Sequence, residues 1–188
     1  MGLDDEFDPR SATDDACLEA WRRGHQRAGS ELFGRYFDVL YQFFRTKVGA
    51  EAQDLVQETL LACVRAVPGL REPSAFRTYL FRVAHSRLCN HFERRGQRID
   101  FGITSVADLG PSPSTAYRQK KREHALMGAL TRLPLEQQVA LEMYYFQGLR
   151  SREIAEILEI PHPTARSRLR RARSALSRLV RSPLEPTF

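Results

Sequence analysis

The densest chemistry in the chain lies in a run of arginines near its C-terminal end. Five arginines fall between positions 166 and 173, with no acidic residue among them. Guanidinium groups this close together repel one another unless an anion lies opposite them. Their planar fork matches phosphate oxygens and guanine edges. Pairing with Glu153, Glu156 and Glu159 on a solvated helix is the alternative interpretation, and the pattern favours contact with nucleic acid.

A helix-turn-helix is the element that would present these arginines. Ser151 begins one helix, Ile160-Pro161 ends it, and Pro163 suits the first position of a second helix, where its missing N–H is no loss. Apolar residues in the second helix recur at intervals of four and three, which leaves the arginines on its other faces. Such a helix enters the major groove of DNA. The residues predicted to contact DNA are Thr164, Arg166, Ser167, Arg168, Arg170, Arg171 and Arg173.

Helices are also predicted for the rest of the chain, because its apolar residues recur at intervals of three and four positions, whereas a strand would repeat every second position. Four helices are expected before residue 96, the second of them beginning at Ser30, and helical spacing returns over 117–182. Between them, Gly102, Gly110 and the Pro-Ser-Pro-Ser run that follows predict a linker.

The predicted fold is therefore all-α, with two small helical domains joined by a flexible linker, the C-terminal one a helix-turn-helix. The expected boundaries are an acidic, disordered tip (1–16), a helical bundle (17–96), the linker (97–116), the helix-turn-helix domain (117–182) and a loose end (183–188).

Composition excludes several classes of protein. Of the 188 residues 42% are hydrophobic, enough to build cores, and the net charge of +6 with 29 basic residues favours a polyanionic partner. The longest apolar run, residues 60–64, is too short for membrane insertion. Three cysteines without a CxxC pair predict a reducing, cytoplasmic location.

No phosphate loop, GxSxG or HExxH motif is present, so we expect neither an enzyme nor a cofactor. His85 and Cys89 are spaced i,i+4, but we predict no metal there.

Two sets of motifs resemble one known family. The segments Glu153–Leu158 and Thr164–Arg173, with Leu133-Pro134 before them, closely resemble the fourth conserved region of sigma factors of the extracytoplasmic-function group. Independently, Asp54–Thr59 is similar to the acidic core-binding motif of the second region, and Ser74–Ala84 to its promoter-melting helix. The resemblance covers about residues 17–181, with both motif sets in the family's order.

The resemblance implies a dissociable subunit that lets bacterial RNA polymerase recognise a particular class of promoter. Its expected partners are the polymerase core and promoter DNA, and an anti-sigma factor is a further partner to consider. The resemblance assigns binding of the polymerase core to Asp54, Gln57, Glu58 and Thr59. On the same helix, Leu55, Leu60 and Val64 are expected in the core of the helical bundle. It assigns downstream promoter DNA to Arg71, Phe76, Arg77, Tyr79, Arg82, Ser86, Asn90, Arg94 and Arg95, and upstream promoter DNA to the basic helix described above.

This sequence departs from the family's pattern at four positions. Tyr79, Ser86 and Asn90 stand where the family usually has Trp, Asn and Asp, so we expect unusual downstream specificity. Pro163 stands where Gly is usual, before the recognition helix.

Two other functions are compatible with the same features. One is a helix-turn-helix regulator with an N-terminal dimerisation or ligand module, and the other is a nucleoid-type DNA binder. The acidic face of Asp54, Gln57 and Glu58 on a basic domain favours a polymerase partner instead.

Overall fold

The computed structural model describes residues 8–67, 75–95, 100, 102–109 and 121–181. In these ranges the chain forms eight α-helices and no β-strand, which confirms the all-α prediction. The helices are α1 (Asp14–Arg22), α2 (Gln26–Val48), α3 (Ala52–Ala66), α4 (Phe76–Arg94), α5 (Lys121–Thr131), α6 (Leu135–Tyr145), α7 (Ser151–Ile157) and α8 (His162–Arg181). Short 3-10 turns occupy Gly49–Glu51 and Val106–Leu109.

The first four helices form an N-terminal bundle in which each helix packs against the next. Phe44, Phe76 and Phe81 are among its largest fully buried side chains. The α1–α2 contact is close, because a Cβ at Gly29 would lie 2.7 Å from Trp21 Cδ1. Trp21 in turn meets Phe33 edge to face, at 5.1 Å between ring centroids. A small residue at position 29 is thus what lets the indole lie between the helices.

The beginning of the chain is anchored, so the prediction of disorder over 1–16 is wrong for residues 8–16. Arg35 on α2 donates to the carbonyls of Pro9 (2.6 Å) and Ala12 (2.8 Å) and pairs with Asp14 (3.0 Å). Thr13 caps α1 by accepting from the Ala16 N–H. The contacts join residues more than twenty positions apart, which helical periodicity does not reveal. Residues 1–7 lie outside the described part of the chain, as do 182–188.

The last four helices form the C-terminal unit, in which α8 packs against α5, α6 and α7. Ala165, Leu169 and Ala172 are buried, which confirms the predicted inward stripe of the second helix. Between α7 and α8 the backbone reverses through Glu159, whose φ is 53°. The predicted helix-turn-helix is therefore present, with α7 as its first helix and α8 as its second.

Part of the predicted linker is packed rather than free. The Leu135 N–H donates to the Thr104 carbonyl at 2.9 Å, Ser105 forms an isolated β-bridge with Pro134, and Val106 is buried. Residues 102–109 thus lie against the start of α6, where Val106 supplies an apolar anchor. The prediction that the linker is flexible is therefore wrong for residues 102–109. Residues 97–99, 101 and 110–116 lie outside the described residues.

The two helical units share one core instead of standing apart. Helix α4 packs against α7, and the cluster of buried apolar residues is continuous from the N-terminal bundle into the C-terminal unit. A buried ion pair between Lys47 on α2 and Glu142 on α6 also crosses this boundary.

The stability of this fold should depend on pH through His85 on α4. Burial first, and then the charges of Arg168 and Lys47, lower the pKa of His85 to about 4. An unfolded histidine titrates near 6.5, so between these two values the unfolded chain binds a proton that the folded chain does not. This contribution to stability is complete above pH 6.5 and is lost as pH falls, by up to about 1.4 kcal/mol per pH unit.

Denaturant unfolding on both sides of pH 6.5 measures this effect. In the His85→Gln variant the free energy of unfolding should fall less steeply with acidity, since one of the titrating groups is gone. The remaining slope would come from other groups, including His91, whose pKa burial also lowers. An identical slope in variant and wild type would contradict the assignment.

Candidate nucleic-acid and protein interfaces

Helix α8 presents most of its arginines to solvent. Burial of Ala165, Leu169 and Ala172 against the rest of the unit turns the opposite faces outward. The exposed arginines of its first three turns are Arg166, Arg170, Arg171 and Arg173. Thr164 is half-buried near the helix start, and Ser167 donates its hydroxyl to the Thr164 carbonyl at 2.9 Å. The helix therefore offers a cationic, hydrogen-bonding surface of the kind that reads a major groove.

Arg168 differs from the other arginines of α8. Its guanidinium pairs with Glu136 on α6 at 2.6 Å, and only 13% of the side chain is exposed. Burial lowers the pKa of Arg168, and the Glu136 carboxylate opposes that shift. We expected Arg168 to contact DNA, but here its charge is neutralised within the unit. The position of Arg168 along α8 does not predict this pairing, because the acidic partner lies on another helix.

Arg173 is also engaged, although it remains exposed. Its guanidinium carbon lies 4.7 Å from the ring centroid of Tyr144 and 5.3 Å from that of Tyr145, both at the end of α6. Stacking of this kind restrains the side chain while leaving its N–H groups available to a phosphate. The tyrosines were not among the expected residues, and no signal in the local sequence of α8 points to them.

Helix α4 carries a polar face that can contact DNA. Tyr79, Arg82, Ser86 and Asn90 recur at three and four positions, so they share one side of the helix. Arg82 is exposed and lies 5.3 Å from the centre of the Tyr79 ring, which is partly buried against the core, so a cation stands beside an aromatic ring. That combination is suited to an unstacked base. All four belong to the residues predicted for the downstream element.

Other residues expected on this surface lie elsewhere. Phe76 is only 1% exposed and packs edge to face on Phe33 and Tyr36, so its predicted role at DNA is corrected to a core position. Arg77 lies 3.6 Å from Glu153 on α7. At the other end of α4, Arg94 is exposed and Arg95 pairs with Glu51. Arg71 lies outside the described residues.

The acidic side of α3 is exposed as predicted from its spacing. Asp54 and Gln57 face solvent, and Glu58 is half-buried with its carboxylate 3.9 Å from Arg87 Nε on α4. Thr59 is the exception, because it is fully buried and its hydroxyl donates to the Leu55 carbonyl at 2.7 Å. Thr59 therefore belongs to the core in this conformation. Thr59 lies about 100° around the helix from Glu58, which turns its side chain into the bundle.

Two exposed apolar side chains continue the acidic face toward the end of α3. Leu61 is 56% exposed and Val64 is 40% exposed, four and seven positions after Gln57. We expected Val64 in the bundle core, and the structure corrects that assignment. The helical spacing from Gln57 is the signal that could have found both residues. Together with Asp54 and Gln57 they form a mixed acidic and apolar stripe, which we call the α3 stripe.

His85 and Cys89 lie one helical turn apart on α4. His85 Nε2 and Cys89 Sγ are 3.8 Å apart, but in residues 8–67, 75–95, 100, 102–109 and 121–181 no group of three or more His, Cys, Asp or Glu could hold a metal ion. Burial raises the pKa of the Cys89 thiol to about 11, so the pair holds no thiolate near neutral pH. The helices described by the structure also lack an apolar stretch of the length that a membrane crossing requires.

Comparison with known proteins accounts for both helical units. Residues 32–98 match the family model of sigma-70 region 2, and residues 123–176 match that of sigma-70 region 4. The RNA polymerase sigma-H factor of Pseudomonas aeruginosa is 30% identical over 183 residues, covering 89% of this chain and 93% of that protein. The ECF RNA polymerase sigma-E factor of Haemophilus influenzae is 27% identical over 182 residues, covering 89% of this chain and 95% of that protein.

Solved structures agree on the fold. CnrH, solved in complex with the cytosolic domain of CnrY, superposes with a TM-score of 0.62 at 22% identity and covers 89% of this chain and 96% of that one. The sigma factor RpoE of Bartonella quintana, solved with the anti-sigma factor NepR, superposes with a TM-score of 0.61 at 21% identity. It covers 78% of this chain and 92% of that one. The two family models and the sigma-H factor confirm the family and the function that the sequence motifs implied. The chain belongs to the sigma-70 family, in its extracytoplasmic-function group, and is a sigma factor that directs RNA polymerase to promoters.

Proposed function

We propose that three helices divide the work of this sigma factor. The α3 stripe binds the polymerase core, the polar face of α4 contacts the downstream promoter element, and α8 reads the upstream element. The observation that carries this division is chemical contrast: an acidic and apolar stripe on α3 stands against cationic surfaces on α4 and α8. Acidic groups would repel DNA and suit a basic protein partner, whereas arginines suit the phosphate backbone.

On α4, the Tyr79 ring and the Arg82 guanidinium supply what strand opening needs. A base that leaves the duplex loses its stacking, and an aromatic ring can replace part of it for about 1 to 3 kcal/mol per base. We leave Phe76 out of this site because it is buried, and Thr59 out of the polymerase site for the same reason. On α8, Arg166, Arg170 and Arg171 are the proposed contacts to bases and phosphates, with Arg173 positioned by its tyrosines.

Further partners and location follow from the same proposal. An anti-sigma factor is a proposed protein partner, supported by the Bartonella sigma factor that was solved with one. We place the activity in the cytoplasm, where a factor that acts with core polymerase must work.

Run-off transcription with purified core polymerase and genomic fragments tests the proposed division of work. The wild type should produce discrete transcripts that core alone does not. Tyr79→Ala should lower transcript yield by about 5- to 150-fold, the equivalent of about 1 to 3 kcal/mol of lost stacking. Tyr79→Phe, which keeps the ring, should retain most of the yield.

A template whose downstream segment is already unpaired distinguishes a role of Tyr79 in strand separation from a role in other steps of transcription initiation. On a template that is already unpaired there, the Tyr79→Ala loss should shrink if the ring assists strand separation. Equal yields for Tyr79→Ala and wild type on duplex templates would remove Tyr79 from the site. A chain that neither supports transcripts nor co-elutes with core, yet binds DNA, would instead favour a helix-turn-helix regulator.

A further inference from the structure

A side-chain hydrogen bond joins the starts of the two helices of the helix-turn-helix. Ser151 lies in the first turn of α7, and His162 is the first residue of α8. Ser151 Oγ and His162 Nε2 are 2.9 Å apart, and both residues are half-buried. They are 11 positions apart in the chain. None of the contacts proposed above with polymerase or DNA uses either residue.

The Ser151 hydroxyl is available for this bond because another residue caps α7. Arg150 occupies the N-cap position, and its N–H donates to the Glu153 carboxylate at 2.7 Å. A serine at the start of a helix commonly accepts from a backbone N–H of its own helix. Here the Ser151 hydroxyl contacts a side chain of the next helix instead. The bond therefore belongs to the arrangement of the two helices and not to the formation of α7.

The partner of Ser151 stands between two prolines. The rings of Pro161 and Pro163 fix φ at those positions, and Pro163 also restricts the backbone of His162 before it. The Pro161 carbonyl accepts from the Ala165 N–H at 3.1 Å, which closes the first turn of α8. The imidazole therefore extends from a backbone with little freedom. Less conformational entropy is lost when such a side chain forms its hydrogen bond.

The turn that connects the two helices needs support from contacts around it. Residues 158–161 alone separate α7 from α8. Glu159 in this turn has a φ of 53°, a region of backbone conformation that a residue with a Cβ avoids. Such a conformation persists when the surrounding structure holds it in place. The bond between Ser151 and His162 spans the turn and supplies a contact of that kind.

His162 also lies close to an arginine that we propose reads DNA. Arg166 follows it by four positions, about one turn of α8, so a displacement of His162 also moves Arg166. The buried stripe of Ala165 and Leu169 decides which side of α8 faces inward. Apolar contacts have no preferred direction, whereas a hydrogen bond requires a defined distance and angle. Side chains that recognise a ligand must be held to within about 0.5 Å, which makes such a directional contact important.

We propose that the Ser151–His162 hydrogen bond determines specificity for the upstream promoter element by fixing the position of α8 relative to α7. Ser151 and His162 are positioning residues, and Arg166 is the side chain that they bring to the base edges. In a helix-turn-helix the first helix crosses the DNA backbone and the second reads the bases. The bond thus links the placement of one helix to that of the other. This inference rests on the proposed function of α8.

Loss of the bond should lower the discrimination between DNA sequences while general attraction to DNA remains, because every arginine of α8 is still present. The test uses holoenzyme assembled from the full-length chain and core polymerase. Wild-type holoenzyme selects a duplex from a pool of random sequences. The upstream element is the part of that duplex whose enrichment is lost with Arg166→Ala. Fluorescence anisotropy then compares binding of the selected duplex with binding of the same duplex carrying a scrambled upstream element.

Ser151→Ala and His162→Ala should each lower the ratio of the two affinities by about 2- to 10-fold, as expected for the loss of one hydrogen bond. The affinity for the scrambled duplex and its dependence on salt should not change. Ser151→Thr, which keeps the hydroxyl, should retain the wild-type ratio. Ser30→Ala makes the same change as Ser151→Ala at an exposed site on α2, and it should have no effect.

Two further measurements separate the bond from other roles of the same residues. The double variant Ser151→Ala/His162→Ala should lose no more discrimination than either single variant, because both changes break the same contact. Nuclear magnetic resonance of the free chain, labelled in its five histidine rings, reports the bond without DNA. Ser151→Ala should shift the ring nitrogen signals of His162, which the His162→Gln variant identifies by their absence.

The remaining outcomes overturn the inference in distinguishable ways. An unchanged ratio in both alanine variants would show that the bond does not set specificity. Equal losses on both duplexes that add in the double variant would assign Ser151 and His162 to phosphate contact. Loss of helical circular dichroism in Ser151→Ala and His162→Gln alike would make the bond a requirement of the fold. If Arg166→Ala leaves every sequence preference intact, the proposed function of α8 fails and the positioning role fails with it, whereas the resonance shift would still show the bond.

Discussion

Core RNA polymerase should no longer co-elute with the Asp54→Arg/Glu58→Lys variant. The change replaces two acidic groups of α3 with basic ones, so a complementary basic surface on the polymerase would meet repulsion where it had attraction. Truncating close charge pairs across an interface costs about 2 to 5 kcal/mol each, and reversal costs more than truncation. At micromolar concentrations in size-exclusion chromatography, we expect the complex to be lost completely.

A matched control separates this effect from net charge. Asp38 is exposed on α2 of the same bundle and does not belong to the α3 stripe, and Asp38→Arg makes the same change in charge as the single variant Asp54→Arg. Asp38→Arg should co-elute normally, and Asp54→Arg should weaken binding. Glu58 lies 3.9 Å from Arg87, so circular dichroism must confirm that the double variant keeps its helices. A folded double variant that still co-elutes with core would remove α3 from the interface.

Leu61 and Val64 provide a second, independent probe of the same surface. They are exposed, so replacing either with Ser should scarcely alter folding, yet it would take apolar area from the α3 stripe. Weakened binding that persists at high salt would identify an apolar component, since screening acts on the acidic residues alone.

Arg166→Ala and Arg171→Ala should each weaken binding to a cognate upstream promoter fragment by about 1 to 3 kcal/mol, or about 5- to 150-fold. Both arginines are exposed on α8, away from the buried stripe of Ala165, Leu169 and Ala172. When an arginine that reads a base is truncated, the protein loses its preference for that base at one position of the DNA site. Titration of cognate and scrambled fragments at several salt concentrations should therefore show a larger loss on the cognate fragment.

The appropriate control is another arginine on the same side of α8. Arg178 is exposed seven positions after Arg171, two turns further from the start of the helix, where an inserted helix moves away from the bases. Arg178→Ala should have little effect. An equal loss on both fragments, with a salt slope reduced by about one, would instead assign Arg171 to phosphate contact. No loss on either fragment would exclude this side of α8 from the DNA interface.

Sequence periodicity predicted the helices well, because apolar residues that recur at intervals of three and four positions specify a helix and the side of it that faces inward. The stripe of α8 and the helix-turn-helix are clear examples. Start positions were less accurate: α2 was expected from Ser30 and begins at Gln26. The residues before Ser30 include Ala28 and Gly29, whose burial against α1 depends on tertiary packing that a local pattern does not contain.

Burial within a helix was harder to predict than the helix itself. Thr59 and Phe76 belong to motifs of known function, so they were expected at interfaces, yet both side chains face the core. Val64 was expected in the core and is exposed. Arg168 and Glu136 are 32 positions apart, and Lys47 and Glu142 are 95 apart, so neither pairing is visible in local spacing. Long-range partners decide which side chains of a functional motif remain available.

The packing of residues 102–109 against α6 shortens the tether between the two units. Asp100 belongs to this segment, because its carbonyl accepts from the Ile103 and Thr104 N–H groups, and on the other side Arg95 pairs with Glu51. The five residue-to-residue steps from Arg95 to Asp100 span at most about 18 Å when fully extended. A tether this short keeps the two units at millimolar effective concentration to one another, so any contact between them is intramolecular. A wider separation of the units would require the release of the Thr104 carbonyl from the Leu135 N–H, so this hydrogen bond limits the reach of one unit from the other.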